Sequence, residues 1–199
     1  MKYINQLQYP HIPYITRTSM EGEQWEKGQK TTIRSSGCGL CASIMVADRL
    51  IPNCEFSIED AIELSYSTGA NSLPGTYWKI YVPAFAEKLS LTYKFSNEPE
   101  ELLDCLRTGG AALCVVNGDE GGTRVGLFTH GKHYIALIGV EPDGRVAILD
   151  PSYKEGKYEE EGRQGKVEVK NGVIALCDVN ILMEETDGRE VRFFLFRRK

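Results

Sequence analysis

Three side chains in this chain have the chemistry and the surroundings for nucleophilic or metal-assisted work. Cys38 lies in Ser35-Ser36-Gly37-Cys38-Gly39-Leu40-Cys41-Ala42-Ser43-Ile44-Met45, a thiol between two glycines that runs directly into an apolar helical pattern. A thiol in the first turn of a helix faces backbone N–H groups and the positive end of the dipole, both of which favour the thiolate. The histidines are His11, His130 and His133. His133 opens the apolar run His133-Tyr134-Ile135-Ala136-Leu137-Ile138, and Asp150 closes Ile148-Leu149-Asp150-Pro151. A carboxylate on one imidazole nitrogen fixes tautomer and orientation, leaving the other nitrogen to take a thiol proton.

These three side chains meet only if the elements carrying them are arranged correctly. Glu141-Pro142-Asp143-Gly144 is a turn signal between two apolar runs, so residues 134–140 and 145–149 read as a β-hairpin. If Glu141 pairs with Gly144, His133 faces Ser152, and Asp150 is its diagonal neighbour on the same face. A bulged hairpin would shift the register by one and turn Asp150 to the opposite face.

Apolar periodicity from Cys38 to Leu50, stopped by Pro52, predicts a helix. Ser57-Ile58-Glu59-Asp60 resembles a capping box for a second helix reaching Gly69. A third follows Thr76, and a fourth opens at Asn97-Glu98-Pro99-Glu100 and ends at Gly109-Gly110. Ala111 to Val116 and Val191 to Phe196 read as strands, Val167-Glu168-Val169 as a weak one, and Val173 to Leu176 as a weak strand or helix start. Residues 1–34 read as an irregular arm, and Lys154 to Gly165 as a charged surface loop in which Glu159, Glu160 and Glu161 form a solvated face. Helices precede strands, which predicts an α+β fold with an N-terminal helical half packed on an antiparallel sheet. With no repeat or linker, residues 1–199 are expected to form one domain.

Bulk properties exclude several classes. The chain has 199 residues, 42% hydrophobic and 26% charged, with a net charge of −5. No basic excess is available to neutralise phosphates, so nucleic acid is not the expected partner. No apolar run reaches the ~20 residues of a membrane span, and no signal-peptide pattern opens the chain. As it stands the chain is expected to be cytoplasmic, or secreted had a signal been removed. Of its cysteines, Cys54, Cys105, Cys114 and Cys177 read as buried free thiols, and Trp25 and Trp78 as packing residues.

Gly37-Cys38-Gly39-Leu40-Cys41-Ala42 with Met45, Gly131-Lys132-His133-Tyr134-Ile135 and Leu149-Asp150-Pro151, in that order, resemble the double-glycine-peptidase-like family of papain-fold cysteine peptidases. Pro74-Gly75-Thr76-Tyr77-Trp78 and Gly126-Leu127-Phe128-Thr129 are also similar to its members. The resemblance implies a papain-like fold, with Cys38 as nucleophile, His133 as base and Asp150 as its orienting partner. It further implies hydrolysis of a peptide or similar amide through an acyl-enzyme, with no cofactor. An upstream glutamine would help hold the oxyanion; Tyr3-Ile4-Asn5-Gln6 resembles the stretch that bears it, with Gln8, Gln24 and Gln29 as alternatives. Leu40 and Cys41 stand where the family more often has proline and a small hydroxyl residue. No exporter membrane domain follows, so leader processing during export is not implied. An acyl transferase or a peptidoglycan-stem amidase would use the same constellation.

Two other chemistries compete for these residues. Cys38, Cys41, His130 and His133 could form a Cys₂His₂ zinc site, and Cys38-Gly39-Leu40-Cys41 is a C-x-x-C pair of the thiol–disulfide oxidoreductase kind. A non-catalytic binding module of the same fold is the remaining alternative.

Overall fold

A computed structural model describes residues 1–16, 31–71, 75–121 and 124–199. Its framework is a seven-stranded antiparallel sheet in the order β1-β7-β2-β3-β4-β6-β5: β1 (Leu91–Ser96), β2 (Ala111–Val116), β3 (His133–Val140), β4 (Val146–Leu149), β5 (Glu168–Lys170), β6 (Ile174–Cys177) and β7 (Phe193–Arg198). The helices are α1 (Ile33–Ser36), α2 (Cys38–Leu50), α3 (Ile58–Ser67), α4 (Trp78–Lys88), α5 (Pro99–Arg107) and α6 (Val179–Glu185). The expected α+β class and the antiparallel sheet are therefore present.

Alternation along the strands divides the core into two layers. One face, through Leu113, Ala136, Ile138, Leu149 and Phe196, meets α2, α3 and α4. The other, through Cys114, Ile135, Leu137, Ile148 and Leu195, meets α5 and α6. The central strand β2 is buried at every position, as its unbroken apolar sequence requires. α2 is buried along almost its whole length, and each fully buried Leu40, Ile44 or Met45 contributes ~1.5–3 kcal/mol by leaving water. The Ser57–Asp60 capping box forms, with Ser57 N donating to Asp60 Oδ2 at 2.9 Å and Asp60 N to Ser57 Oγ at 3.1 Å.

The hairpin that carries the candidate site combines both registers considered above. Near the turn, Glu141 N donates to Arg145 O, and Val140 pairs with Val146, one residue off the simple register. Gly144 takes φ +91°, which the turn demands and glycine permits. A bulge between Leu137 and Gly139 then restores the simple register, so that Leu137 faces Ile148 and Ala136 faces Leu149. The two offsets cancel, and the strand ends stand where a tight hairpin would have put them.

Several sequence expectations need correction. β1 was not anticipated: it is an edge strand whose middle four residues are exposed, so it lacks a continuous apolar signal. α6 was also missed, being only seven residues long; Asp178 caps it through Asn180 N. Cys54 is only half-buried, whereas Cys105, Cys114 and Cys177 are buried as expected. Lys154 to Gly165 is no simple surface loop, because Lys157, Tyr158 and Arg163 are all buried. In the N-terminal arm, Gln6–Gln8 forms a 3₁₀ turn, Pro13 bridges Thr32, and Tyr14 is fully buried. Gln24, Trp25, Gln29 and Pro74 lie outside the described residues.

Candidate active site

Cys38 is the first residue of α2, and each flanking glycine is enforced by packing. A Cβ on Gly37 would lie 2.7 Å from the Ile33 carbonyl oxygen, and one on Gly39 would lie 2.2 Å from the Trp78 ring. The Gly-Cys-Gly sequence thus lets α1 turn tightly into α2 and lets the Trp78 indole close over the helix start. Among the described residues, α1 rather than a strand leads into the C-x-x-C pair, so the strand–helix entry of a thioredoxin-like motif is absent.

β3 and the end of β4 bring the other two residues together. His133 Nε2 lies 2.8 Å from Asp150 Oδ1 and 3.1 Å from Ser152 Oγ, and the same ring lies close enough to Cys38 to act on its thiol, Nδ1 being the nitrogen that Asp150 does not take. Burial by itself would raise the Cys38 thiol. The hydrogen bond and charge of His133, with the backbone N–H groups of Tyr134 and Gly39, outweigh it and hold the thiol below its ordinary value. Burial likewise works against the imidazolium, but the Asp150 carboxylate and the Cys38 sulfur push His133 up to about 9. Cys41, one turn further on, is fully buried, and burial together with the nearby Cys38 raises its thiol well out of the reactive range.

Asp150 is the most elaborately held residue of the group. Its Oδ1 also accepts from Ser152 N at 2.8 Å and Ser152 Oγ at 3.1 Å. Its Oδ2 accepts from Lys157 Nζ at 2.5 Å and Tyr158 OH at 2.8 Å, and its backbone carbonyl accepts from Tyr3 OH at 2.8 Å. Burial would raise this carboxyl, yet Lys157 and His133 together keep it far below the usual carboxylate range. Lys157 is itself pulled down by burial, partly offset by Asp150. Lys157 Nζ also donates to Ser152 Oγ at 2.8 Å. Sequence reasoning missed Lys157, Ser152 and Tyr158 as parts of this site. The available signal was two tyrosines, Tyr153 and Tyr158, inside a segment otherwise composed like solvent-exposed chain; their rings stack at 5.8 Å.

Gln6 is buried beside this group. Its backbone N–H donates to Pro151 O at 2.7 Å, and Nε2 donates to Arg34 O at 2.7 Å, which leaves one amide hydrogen uncommitted. Gln8 is exposed, and its N–H bonds only within the 3₁₀ turn.

His130 is not brought to Cys38 and Cys41. Its Nδ1 lies 2.9 Å from Asp119 Oδ2, and its Nε2 accepts from Arg163 Nη2 at 3.2 Å. Among the described residues no three His, Cys, Asp or Glu side chains converge as a metal-binding set, so the proposed Cys₂His₂ arrangement is not assembled. No helix among those residues is long and apolar enough to cross a membrane.

No family model and no curated protein matches this sequence. Among solved structures, the fold is similar to that of a "putative C39-like peptidase" from Bacillus anthracis, at a TM-score of 0.56 and 13% identity, covering 100% of this chain and 94% of that one. The architecture of the sheet and its helices is thus a known one, shared over the full described length at a sequence identity where only the fold is conserved.

Proposed function

We propose that this protein is a cysteine hydrolase of peptide or similar amide bonds, with Cys38 as nucleophile, His133 as general base and acid, and Asp150 as the group that orients His133. The observation that carries this reading is the run of neighbours from the half-buried Cys38 through the buried His133 ring to the buried Asp150, with Nε2 on the carboxylate and the ring lowering the thiol. The likeness to a peptidase fold adds support.

In this reading His133 takes the Cys38 proton, and the thiolate attacks the carbonyl carbon. The oxyanion is held by the Cys38 N–H at the start of α2 and by the free amide hydrogen of Gln6. His133 then gives its proton to the leaving amine, and water, deprotonated by the same ring, releases the acyl group from sulfur. Cys41 has no part in the chemistry. Residues 1–199 act as one catalytic domain.

The test is alkylation by iodoacetamide across pH, followed residue by residue. Cys38 reacts faster than the other five cysteines and does so well below pH 8, and the His133→Ala variant loses that advantage. A Cys38 no faster than a free thiol throughout would falsify the reading.

A further inference from the structure

A cleft of about 340 Å³ has walls that include Trp78, Lys79, Lys132, Tyr134, Arg189 and Glu190. Two of its walls approach Cys38: Trp78 lies against Gly39, the residue after Cys38, and Tyr134 is near enough to Cys38 for the thiol's charge to act on it. Lys132 and Tyr134 flank His133 in the sequence. Trp78 and Tyr134 pack on each other with ring centroids 4.5 Å apart, forming the apolar part of the wall.

The cleft carries three cations against one carboxylate, in a protein whose net charge is −5. Glu190 is committed to Lys79 at 2.6 Å. Lys132 is exposed and has no acidic partner among the described residues. Arg189 spends Nη2 on the Val116 carbonyl at 3.1 Å, and no carboxylate faces it among the described residues. Two buried donors in the same walls, Trp78 Nε1 and Arg189 Nε, have no acceptor. α4 begins here as well, and its first turn has neither a capping side chain nor an acidic residue. Cations, unpaired N–H dipoles and an uncapped helix start all add positive potential, and among the lining residues only Glu190, already paired with Lys79, offsets it.

We propose that this cleft is a substrate subsite for a carboxylate next to the scissile amide, which makes acidic peptides the substrate class. The inference rests on the hydrolase reading above for the words "substrate" and "scissile", and on the cleft alone for the carboxylate. Trp78 and Tyr134 flank the aliphatic stem of the bound residue, and Lys132 and Arg189 face its charge. The carboxylate is that of a Glu or Asp side chain or of a free peptide C-terminus, two sources with one chemistry.

A library of synthetic peptides, each made with a free and an amidated C-terminus, is incubated with the protein, and cleavage is read by mass spectrometry. In parallel, binding of matched Glu and Gln peptides to the Cys38→Ala variant is measured by fluorescence anisotropy. The expected result is about a tenfold preference for the carboxylate over its amide at one position, in cleavage and in binding. Preference for Glu over Gln in amidated peptides identifies a side-chain carboxylate; preference for free over amidated ends identifies the C-terminus. The ratio shrinks as salt rises from about 50 to 500 mM. It falls to about twofold or less in Lys132→Gln/Arg189→Gln, with cleavage and binding of the amide peptide retained, which shows that the variant is folded. Equal treatment of carboxylate and amide peptides, or a double variant that weakens both alike, overturns the inference. If no peptide is cleaved but Cys38→Ala still prefers the Glu peptide, the hydrolase reading fails and the carboxylate site stands.

Discussion

His130 and His133 each hold an aspartate through a ring nitrogen, at 2.9 Å to Asp119 and 2.8 Å to Asp150. By distance the two pairs are equivalent. Their surroundings differ completely: the His130 and Asp119 side chains are 67% and 42% exposed, those of His133 and Asp150 only 5% and 1%. Water screens the first pair and competes for its hydrogen bonds. In the second, low dielectric and a fixed set of donors turn the same contact into a strong electrostatic device. A hydrogen-bond length therefore says little about what an imidazole–carboxylate pair can do. What surrounds the carboxylate decides it, and around Asp150 stand Ser152, Lys157 and Tyr158.

Removing each aspartate separates the pairs most sharply. Asp150→Asn leaves Lys157 buried without a counter-charge, a situation that costs about 3–5 kcal/mol. It also removes the anion that favours the His133 imidazolium. Urea unfolding should show that loss, and the Cys38 alkylation rate near pH 7 should fall about 10–100-fold. Asp119→Asn should shift neither. Equal effects from the two variants would mean that the contrast in burial has no energetic meaning.

A smaller effect is expected from the cation that only the buried pair possesses. Lys157 competes with the imidazolium for Asp150, so Lys157→Met should raise His133 further. Thiolate and imidazolium coexist between the depressed Cys38 value and the raised His133 value, and reactivity toward substrate falls as pH rises through about 9. The basic limb of the pH–rate profile should therefore lie near 9 in the parent protein and move upward in Lys157→Met. A purely structural lysine would lower amplitude and leave the limb in place. The sign for stability follows the same logic. The raised His133 stabilises the fold fully below its unfolded value of about 6.5, and that contribution disappears as pH climbs through about 9. The depressed Asp150 contributes above about 4 and loses its effect as pH falls through its lower folded value.

The smallest change is expected from Tyr158→Phe, which deletes one hydroxyl donor to the carboxylate and leaves the ring packed on Phe128 and Tyr153. A loss of about 1.5–3 kcal/mol is the range for a hydrogen bond to a charged group. Denaturant titration measures it, and no loss at all would mean that Lys157 and Ser152 suffice.

The same contrast explains what the sequence disclosed. Cys38 announces itself through two glycines whose replacement would collide with Ile33 and Trp78. His133 and Asp150 were legible through hairpin arithmetic, even though the hairpin does not obey it near the turn: the Ile138 region takes back the residue that the turn adds. Lys157 was illegible because a lysine among Lys154, Glu155, Glu159 and Glu160 has the composition of solvated chain. Only the third dimension reveals that it turns inward to Asp150. β1 and α6 escaped for a simpler reason: an exposed edge and a seven-residue helix carry too few apolar positions for a period to emerge.

The N-terminal arm has a consequence in time. Tyr3, Asn5 and Gln6 are bonded to Asp150, Tyr153 and Pro151, more than 140 positions downstream. On a ribosome adding about 5–20 residues per second, the arm waits roughly 10–30 seconds before its partners exist. For most of that interval Cys38 has been made while Asp150 has not. The order of synthesis thus withholds from the nascent Cys38 the imidazole and carboxylate that act on it until the hairpin carrying them has been made.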